Sequence, residues 1–117
     1  MMLIPTRIRP SNIHGLGVFA VEDIPEGTVV WRYDPRIDYR VILEQHEELE
    51  KYRNHGYRPH GVDYVEFPGD AALFVNHCRE ANIRKTGDEA VAVRVISEGE
   101  EILADYREYD SELEGFE

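Results

Sequence analysis

The sequence is poor in cysteine and in long apolar stretches, and each shortage excludes a class of protein. Its 117 residues include one cysteine, Cys78, which excludes an internal disulfide and a cysteine-rich zinc cluster. No apolar run approaches the roughly 20 residues that a membrane-spanning helix needs. The first residues, MMLIPTRIRPSN, are too short and too interrupted by prolines for a signal peptide. We therefore expect an intracellular protein of a reducing compartment that does not enter a membrane.

Basic residues are also scarce, which bears on the kind of partner the protein attracts. There are 13 Lys and Arg against 24 Asp and Glu, giving a net charge of -11. The acidic excess is concentrated in residues 98–117, where Arg107 is the single basic residue. Such a chain repels nucleic-acid phosphates and attracts basic peptides. A solvated acidic tail that keeps the protein soluble is the other interpretation, and both stay open.

The patterning of the chain predicts one mainly β domain. Short β-rich segments separated by turns are predicted as strands at residues 6–9, 17–21, 28–31, 62–67, 89–96 and 101–104. One helix is predicted at residues 43–53, followed by a loop at residues 54–61. Many short strands, tight turns and one inserted helix favour small mixed sheets over a helix bundle or a doubly wound fold.

Two glycines precede the second predicted strand. Gly15 and Gly17, in the segment HGLGVFA, would let the backbone approach a ligand closely, although such a glycine pair, taken alone, usually forms a plain turn. They do not form a dinucleotide fingerprint, because a third glycine is missing and no helix follows.

A polar pair follows an apolar run in the second half of the chain. Asn76 and His77 come directly after residues 71–75, so we expect their side chains to be partly buried. There they either contact a polar ligand or form hydrogen bonds with their own backbone.

The five histidines match no zinc-binding spacing, so we predict no metal site. Cys78 beside His77 lacks the separation of a nucleophile–base pair. Tyr106 ends the last predicted strand, either as a core residue or with its hydroxyl at a reacting centre.

Taken in order, these segments resemble the signature segments of the SET domain, the fold of protein-lysine methyltransferases. HGLGVFAVEDIPEGTVV resembles the opening of SET domains, FVNHCREAN resembles Asn-His-Ser-Cys-x-Pro-Asn, and EGEEILADY resembles Gly-Glu-Glu-(Ile/Leu)-x-x-x-Tyr. The resemblance runs from about residue 7 to residue 106, and the length is similar to that of small stand-alone viral members. It implies a single SET domain over residues 1–117, with an acidic tail at residues 107–117. The implied fold is a β-clip of several small sheets with one short inserted helix and a knot-like C-terminal crossing, to which Asn82 contributes.

The resemblance also implies a set of site residues. Tyr106 would be the catalytic tyrosine, and Tyr33 would line the channel for the substrate lysine. The cofactor S-adenosylmethionine would be held by His14, Gly15, Leu16, Gly17, Asn76, His77 and Tyr106. The implied activity is methyl transfer to the lysine amine of a basic, histone-like protein or peptide, without direct binding of nucleic acid or membrane. We expect a cytoplasmic protein, or a nuclear one (a host nucleus included) if it acts on chromatin.

The chain departs from the family pattern at several positions. Cys78, Arg79 and Ala81 replace the usual serine, cysteine and proline, and Pro35 and Arg36 replace the glycine and acid that follow the channel tyrosine. Ala104 stands where many members have Phe or Tyr, so the channel should be wider, which would favour higher methylation states or a different amine. The cysteine-rich segment that closes the channel in many relatives is missing, so residues 107–117, with Tyr109 and Phe116, or a second subunit of a homodimer, would close it. A catalytically weak module that binds a basic partner is the alternative function.

Overall fold

The computed structural model of the protein describes residues 1–110 and consists mainly of short strands in several small sheets. The prediction of a mainly β fold with few short helices is confirmed. The strands are β1 (Thr6–Pro10), β2 (Leu16–Ala20), β3 (Val29–Arg32), β4 (Tyr39–Val41), β5 (Val65–Phe67), β6 (Asn76–His77), β7 (Ile83–Thr86), β8 (Glu89–Ala92) and β9 (Leu103–Ala104). One α-helical turn, α1 (Tyr106–Tyr109), and three 3-10 helices (Leu43–Gln45, Glu47–His55 and Ala71–Phe74) complete the described elements.

Strands β1 and β2 form an antiparallel hairpin with Gly15 in its turn and Gly17 within β2. Thr6 lies opposite Ala20, and Pro10 lies opposite Leu16. Gly15 has a φ of 47°, in the left-handed region that glycine adopts without a steric penalty. The hairpin therefore turns at this glycine, and β2 then runs directly into the core.

The larger sheet has five strands in the order β3-β8-β7-β9-β6. β3, β8 and β7 are antiparallel neighbours, while β9 runs parallel to both β7 and β6. The last strand of the chain thus lies between two earlier ones. This arrangement places the end of β9, and the residues after it, beside β6.

The segment between β4 and β5 contains the helical turns predicted at residues 43–53. They are wound as 3-10 helices rather than as one α-helix, and neither has a side-chain hydrogen bond at its N-cap. Acidic side chains at three- and four-residue spacing repel one another on an α-helix. Only Leu43 of these residues is buried. Without a buried face, the α-helical form gains little from packing.

A single cluster of buried side chains joins the hairpin to the larger sheet. Val18, Val30, Ile96 and Ile102 are completely buried, and Trp31 is nearly so. Each contributes about 1.5–3 kcal/mol relative to an exposed position. No helix within residues 1–110 has the length and apolar character needed to cross a membrane.

The strand predicted at residues 89–96 is shorter in the structure and ends at Ala92. Val93 N still donates to Asn82 O, next to β7, whereas Ile96 N donates to Ile24 O in a separate antiparallel bridge. Ile96 is buried, whereas Val93 and Val95 are exposed. The predicted alternation of buried and exposed side chains is therefore real, but the two ends of the segment form backbone hydrogen bonds with different partners.

Candidate active site

A polar corner forms where the turn between β1 and β2 meets strand β6. Asn76 Nδ2 donates to the carbonyl oxygens of His14 and Leu16, both at 3.0 Å. Ser11 N donates to Gly15 O at 2.8 Å and closes the turn. Asn76 is 7 % exposed, so its amide is fixed in place by these contacts.

Glu101 completes the polar corner. Its carboxylate accepts from Ser11 Oγ at 2.8 and 2.9 Å and from Asn76 Nδ2 at 3.0 Å. A methyl group on Gly17 would lie 2.3 Å from Glu101 Oε2, so glycine is what lets the carboxylate approach. Sequence reasoning missed Glu101, although an acid within the Gly-Glu-Glu segment was the available signal. The polar corner therefore combines two carbonyl oxygens, a carboxylate and an amide, a set rich in hydrogen-bond acceptors.

Tyr106 begins helix α1 next to strand β6. Its hydroxyl donates to Val75 O at 2.6 Å, and its backbone N–H donates to His77 Nδ1 at 3.0 Å. Because Nδ1 accepts, the proton of the neutral imidazole lies on Nε2. Burial raises the pKa of Tyr106, so its hydroxyl stays protonated at neutral pH. The hydroxyl proton is committed to Val75, and the oxygen keeps lone pairs for another donor.

Asp105 fixes the start of helix α1. Its carboxylate accepts from Arg107 N at 3.0 Å and forms an ion pair with the Arg107 guanidinium. The hydrogen bond from the Arg107 side chain is the main reason why the pKa of Asp105 is lowered. A carboxylate at a helix N-terminus stabilises the unpaired N–H groups there. The backbone that carries Tyr106 is thereby held from both sides.

Asn82 ties the crossing segments together beneath the site. This fully buried residue donates from Nδ2 to Glu101 O at 2.8 Å and accepts at Oδ1 from Leu103 N, also at 2.8 Å. Its backbone N–H donates to Leu103 O at 3.1 Å. The Asn82 side chain thus forms hydrogen bonds with the backbone groups of Glu101 and Leu103. These bonds fix the segment that carries Glu101 of the polar corner and leads through β9 to Tyr106.

A cavity of about 540 Å³ lies beside Tyr106. Its wall includes the apolar and aromatic side chains of Trp31, Tyr57, Val75, Ala104, Tyr106 and Tyr109. Sequence reasoning missed Trp31 and Tyr57, although the apolar pattern of β3 could have pointed Trp31 inward. Within residues 1–110, Trp31 Nε1 and Tyr109 Oη are buried without a hydrogen-bond partner. Burial raises the pKa of Tyr109.

The inserted segment and the end of α1 meet at the rim of this cavity. Arg53 and Asp110 both line it, and their side chains form an ion pair at 2.7 Å. Of residues 107–117, Tyr109 and Asp110 line the cavity, and the closure of the channel by this segment stays a prediction. Phe116 lies outside the described residues.

Tyr33 does not join the other predicted site residues. The structure brings together residues 14–17, Asn76, His77 and Tyr106, but Tyr33 is not among the side chains that line the cavity. Its ring lies 3.5 Å from the Arg40 guanidinium. Arg40 also pairs with Glu66 at 2.7 Å and with Asp88 at 2.6 Å. A role for Tyr33 in the channel stays a prediction.

Metal-binding side chains are scattered over the part of the chain that the structure describes. Within it, no group of three or more His, Cys, Asp or Glu side chains lies close enough together to hold a metal ion.

Comparison with known sequences connects this geometry to one family. The SET domain family model matches residues 15–107. The chain is 31 % identical over 110 residues to Histone-lysine N-methyltransferase 2B of Homo sapiens, and 29 % identical over 110 residues to Histone-lysine N-methyltransferase trithorax of Drosophila melanogaster. Each match covers 83 % of this chain but only 4 % and 3 %, respectively, of those proteins.

Comparison with solved structures supports the same fold. The structure of ctPRC2 in an autoinhibited conformation bound to S-adenosylmethionine superimposes with a TM-score of 0.73 at 19 % sequence identity. The match covers 92 % of this chain and 16 % of that one. At this level of identity the similarity concerns the fold alone.

Proposed function

The chain belongs to the SET domain family, and we propose that it transfers a methyl group from S-adenosylmethionine to the side-chain amine of a lysine in a basic protein or peptide. The position of Tyr106 carries the proposal. Its hydroxyl is fixed on Val75 O at the wall of the cavity, one residue along the chain from Asn76 in the polar corner. The names of the relatives, histone-lysine N-methyltransferases, support the same reaction.

The polar corner fits the amino-acid end of S-adenosylmethionine. The carbonyl oxygens of His14 and Leu16 and the Glu101 carboxylate are acceptors, which suit the three donors of an α-ammonium group. The position that a Cβ atom on Gly15 would take has no other heavy atom within 4 Å, which leaves room against the backbone. We assign cofactor binding to residues 14–17, Asn76, His77 and Tyr106. When bound, the cofactor supplies an electrophilic methyl group on a positively charged sulfonium.

The cavity prepares the substrate amine for attack. An unperturbed lysine has a pKa of about 10.4, so it is protonated and unreactive at neutral pH. The apolar wall removes water from the amine and lowers that pKa. The Tyr106 oxygen can then accept a hydrogen bond from the neutral amine, because its own proton is held by Val75. Orientation of the amine is the main contribution of these residues to the rate.

Ala104 leaves space beside Tyr106. Ala104 lines the cavity and is 2 % exposed. A bulky side chain at this position would restrict the amine to fewer orientations, whereas alanine lets a partly methylated amine turn for another transfer. We therefore propose dimethylated or trimethylated lysine as the final product.

The charge of the protein favours a basic substrate. The net charge is -11, and exposed Glu44, Glu47, Glu48 and Glu50 lie on the inserted segment. The same segment continues into Arg53 and Gly56, which line the cavity. An acidic surface next to a cavity attracts basic chains and raises their rate of association. Histones, which the names of the relatives include, are one such substrate class.

We also propose that a second copy of the chain completes the wall of the cavity. Leu73 lines the cavity and, like Phe74 beside it, is 41 % exposed. Covering two such side chains would add to the stability of a homodimer. Sedimentation equilibrium should show a dimer that Phe74→Ser weakens, and a monomer at all concentrations would contradict this part.

Mass spectrometry of a lysine-rich basic protein after incubation with the chain and S-adenosylmethionine tests the activity. We expect added methyl groups on lysine, and Tyr106→Phe should reduce turnover about a hundredfold, because it removes the hydroxyl that orients the amine. Tyr52→Phe is the matched control, since Tyr52 is 46 % exposed on the inserted segment. Full turnover by Tyr106→Phe would contradict its assignment as the catalytic tyrosine.

A further inference from the structure

Lys85 is one of only two lysines in the chain, and its ammonium group is enclosed. Its side chain is 9 % exposed, and Nζ lies 3.6 Å from Oε2 of the completely buried Glu66. The other Glu66 oxygen accepts from Arg40 Nε at 2.7 Å. Burial lowers the pKa of Lys85, and the Glu66 carboxylate opposes that shift. The buried carboxylate therefore favours a cation at the end of the Lys85 side chain.

Three aromatic rings surround the same ammonium group. Lys85 Nζ lies 5.2 Å from the ring centroid of Trp31, 5.4 Å from that of Tyr57 and 5.8 Å from that of Tyr109. All three distances fall within the roughly 6 Å at which a cation interacts with an aromatic face. We call these three rings the aromatic box. The same three side chains line the 540 Å³ cavity beside Tyr106, whereas Lys85 itself does not line it and contacts the rings from behind the cavity wall.

An aromatic box with a nearby carboxylate has the composition of sites that bind methylated ammonium groups. In this protein the cation beside the three rings is the ammonium group of Lys85, a residue of the chain itself. A second cation brought to the same rings would meet the repulsion of the first one. Filling the box with an internal cation thus removes a binding place that the methylated product could otherwise use.

We propose that Lys85 is a specificity-determining residue: its ammonium fills the aromatic box, so that the cavity admits a neutral amine, including a partly methylated one that has lost its proton, and does not retain a trimethylated one, which is always cationic. The inference rests on the proposed methyl transfer for its biological meaning, but not for its test. It goes beyond that function by assigning a role in product release to a residue on strand β7.

Binding of tetramethylammonium chloride tests the proposal directly. Trp31 is the only tryptophan in the chain and part of the box, so its fluorescence reports occupancy. We expect no saturable change for the natural protein and a change for Lys85→Ala, with an affinity at least about tenfold higher, as expected for a desolvated cation on several rings. Lys51→Ala is the matched control, because it removes the other lysine, whose ammonium lies 5.2 Å from the exposed Tyr52 ring.

A second variant keeps the test decisive if Lys85→Ala is unstable. Lys85→Ala with Glu66→Gln removes both buried charges, keeps an acceptor for Arg40 and leaves the three rings in place. It should bind tetramethylammonium more weakly than Lys85→Ala but better than the natural protein. Saturable binding by the natural protein, or equal affinity in the natural protein and the folded variants, would overturn the proposal.

The two inferences fail in distinguishable ways. If the natural protein transfers no methyl group but removal of Lys85 opens the box to tetramethylammonium, the proposed function fails and the role of Lys85 as its occupant stands. If methyl transfer occurs and the box stays closed in every folded variant, the role of Lys85 fails alone. In the active enzyme, we also expect a trimethyllysine peptide to inhibit the Lys85→Ala variant at least about tenfold more strongly than the natural protein.

Discussion

Asn82 offers the sharpest test of how the crossing beneath the site is held. In Asn82→Ala, Glu101 O loses a 2.8 Å hydrogen bond from Nδ2, and Leu103 N loses its 2.8 Å bond to Oδ1. A buried polar group left without a partner costs about 1–3 kcal/mol. Both contacts are only partly buried, so we take the lower half of that range, about 1–2 kcal/mol, for each of the two backbone groups. The free energy of unfolding should therefore fall by about 2–4 kcal/mol. That is a large fraction of the 5–15 kcal/mol typical of a domain.

Urea unfolding followed by circular dichroism measures this loss. The midpoint for Asn82→Ala should move to clearly lower urea, with the slope of the transition unchanged. Asn12→Ala is the matched control, because Asn12 is exposed, and its midpoint should stay near that of the natural protein. If both variants unfold at the same urea concentration, Asn82 does not hold the crossing in the way that its hydrogen bonds imply.

Three further predictions concern single residues. Gly17→Ala should weaken binding of S-adenosylmethionine about tenfold in calorimetry, because the new methyl group would displace the Glu101 carboxylate that lies 2.3 Å from its position; unchanged affinity would contradict the role of the polar corner. Ala104→Phe should shift the product toward monomethyllysine in mass spectra, and a natural protein that makes only monomethyllysine would refute the argument from cavity width. The hydrogen bond from Arg36 lowers the pKa of Asp34 from 3.8 to about 2, so this carboxylate stabilises the fold above pH 3.8 and loses that contribution as the pH falls toward 2. Asp34→Asn should flatten the dependence of the urea midpoint on pH in that window, and an unchanged slope would contradict the ion pair.

Much of the fold follows from local patterns in the sequence. Strands β1, β2 and β3 lie within one or two residues of their predicted positions, because alternating apolar residues and glycine turns encode them locally. Asn76, His77 and Tyr106 could be grouped before the structure was known, since their segments resemble those of one family. The structure gives this grouping a physical basis in the bond from Tyr106 N to His77 Nδ1.

The residues that sequence reasoning missed act through distant contacts. Glu101 contacts Ser11 across 90 positions of the chain, and Lys85 contacts Trp31 within the five-stranded sheet and Glu66 of the β4-β5 sheet. No periodicity in the sequence reports such pairs. The 3-10 winding of the inserted segment was also beyond a pattern argument, because it depends on how little of that segment the core covers.

Calorimetric titration of S-adenosylmethionine into the purified protein measures cofactor binding at the polar corner. We expect saturable binding that weakens about tenfold or more in Asn76→Ala, because the amide that holds the carbonyls of His14 and Leu16 in place is removed. Asn12→Ala, with the same change at an exposed position, should bind like the natural protein. No binding at millimolar cofactor, or equal binding by Asn76→Ala, would contradict the assignment of the polar corner as the cofactor site.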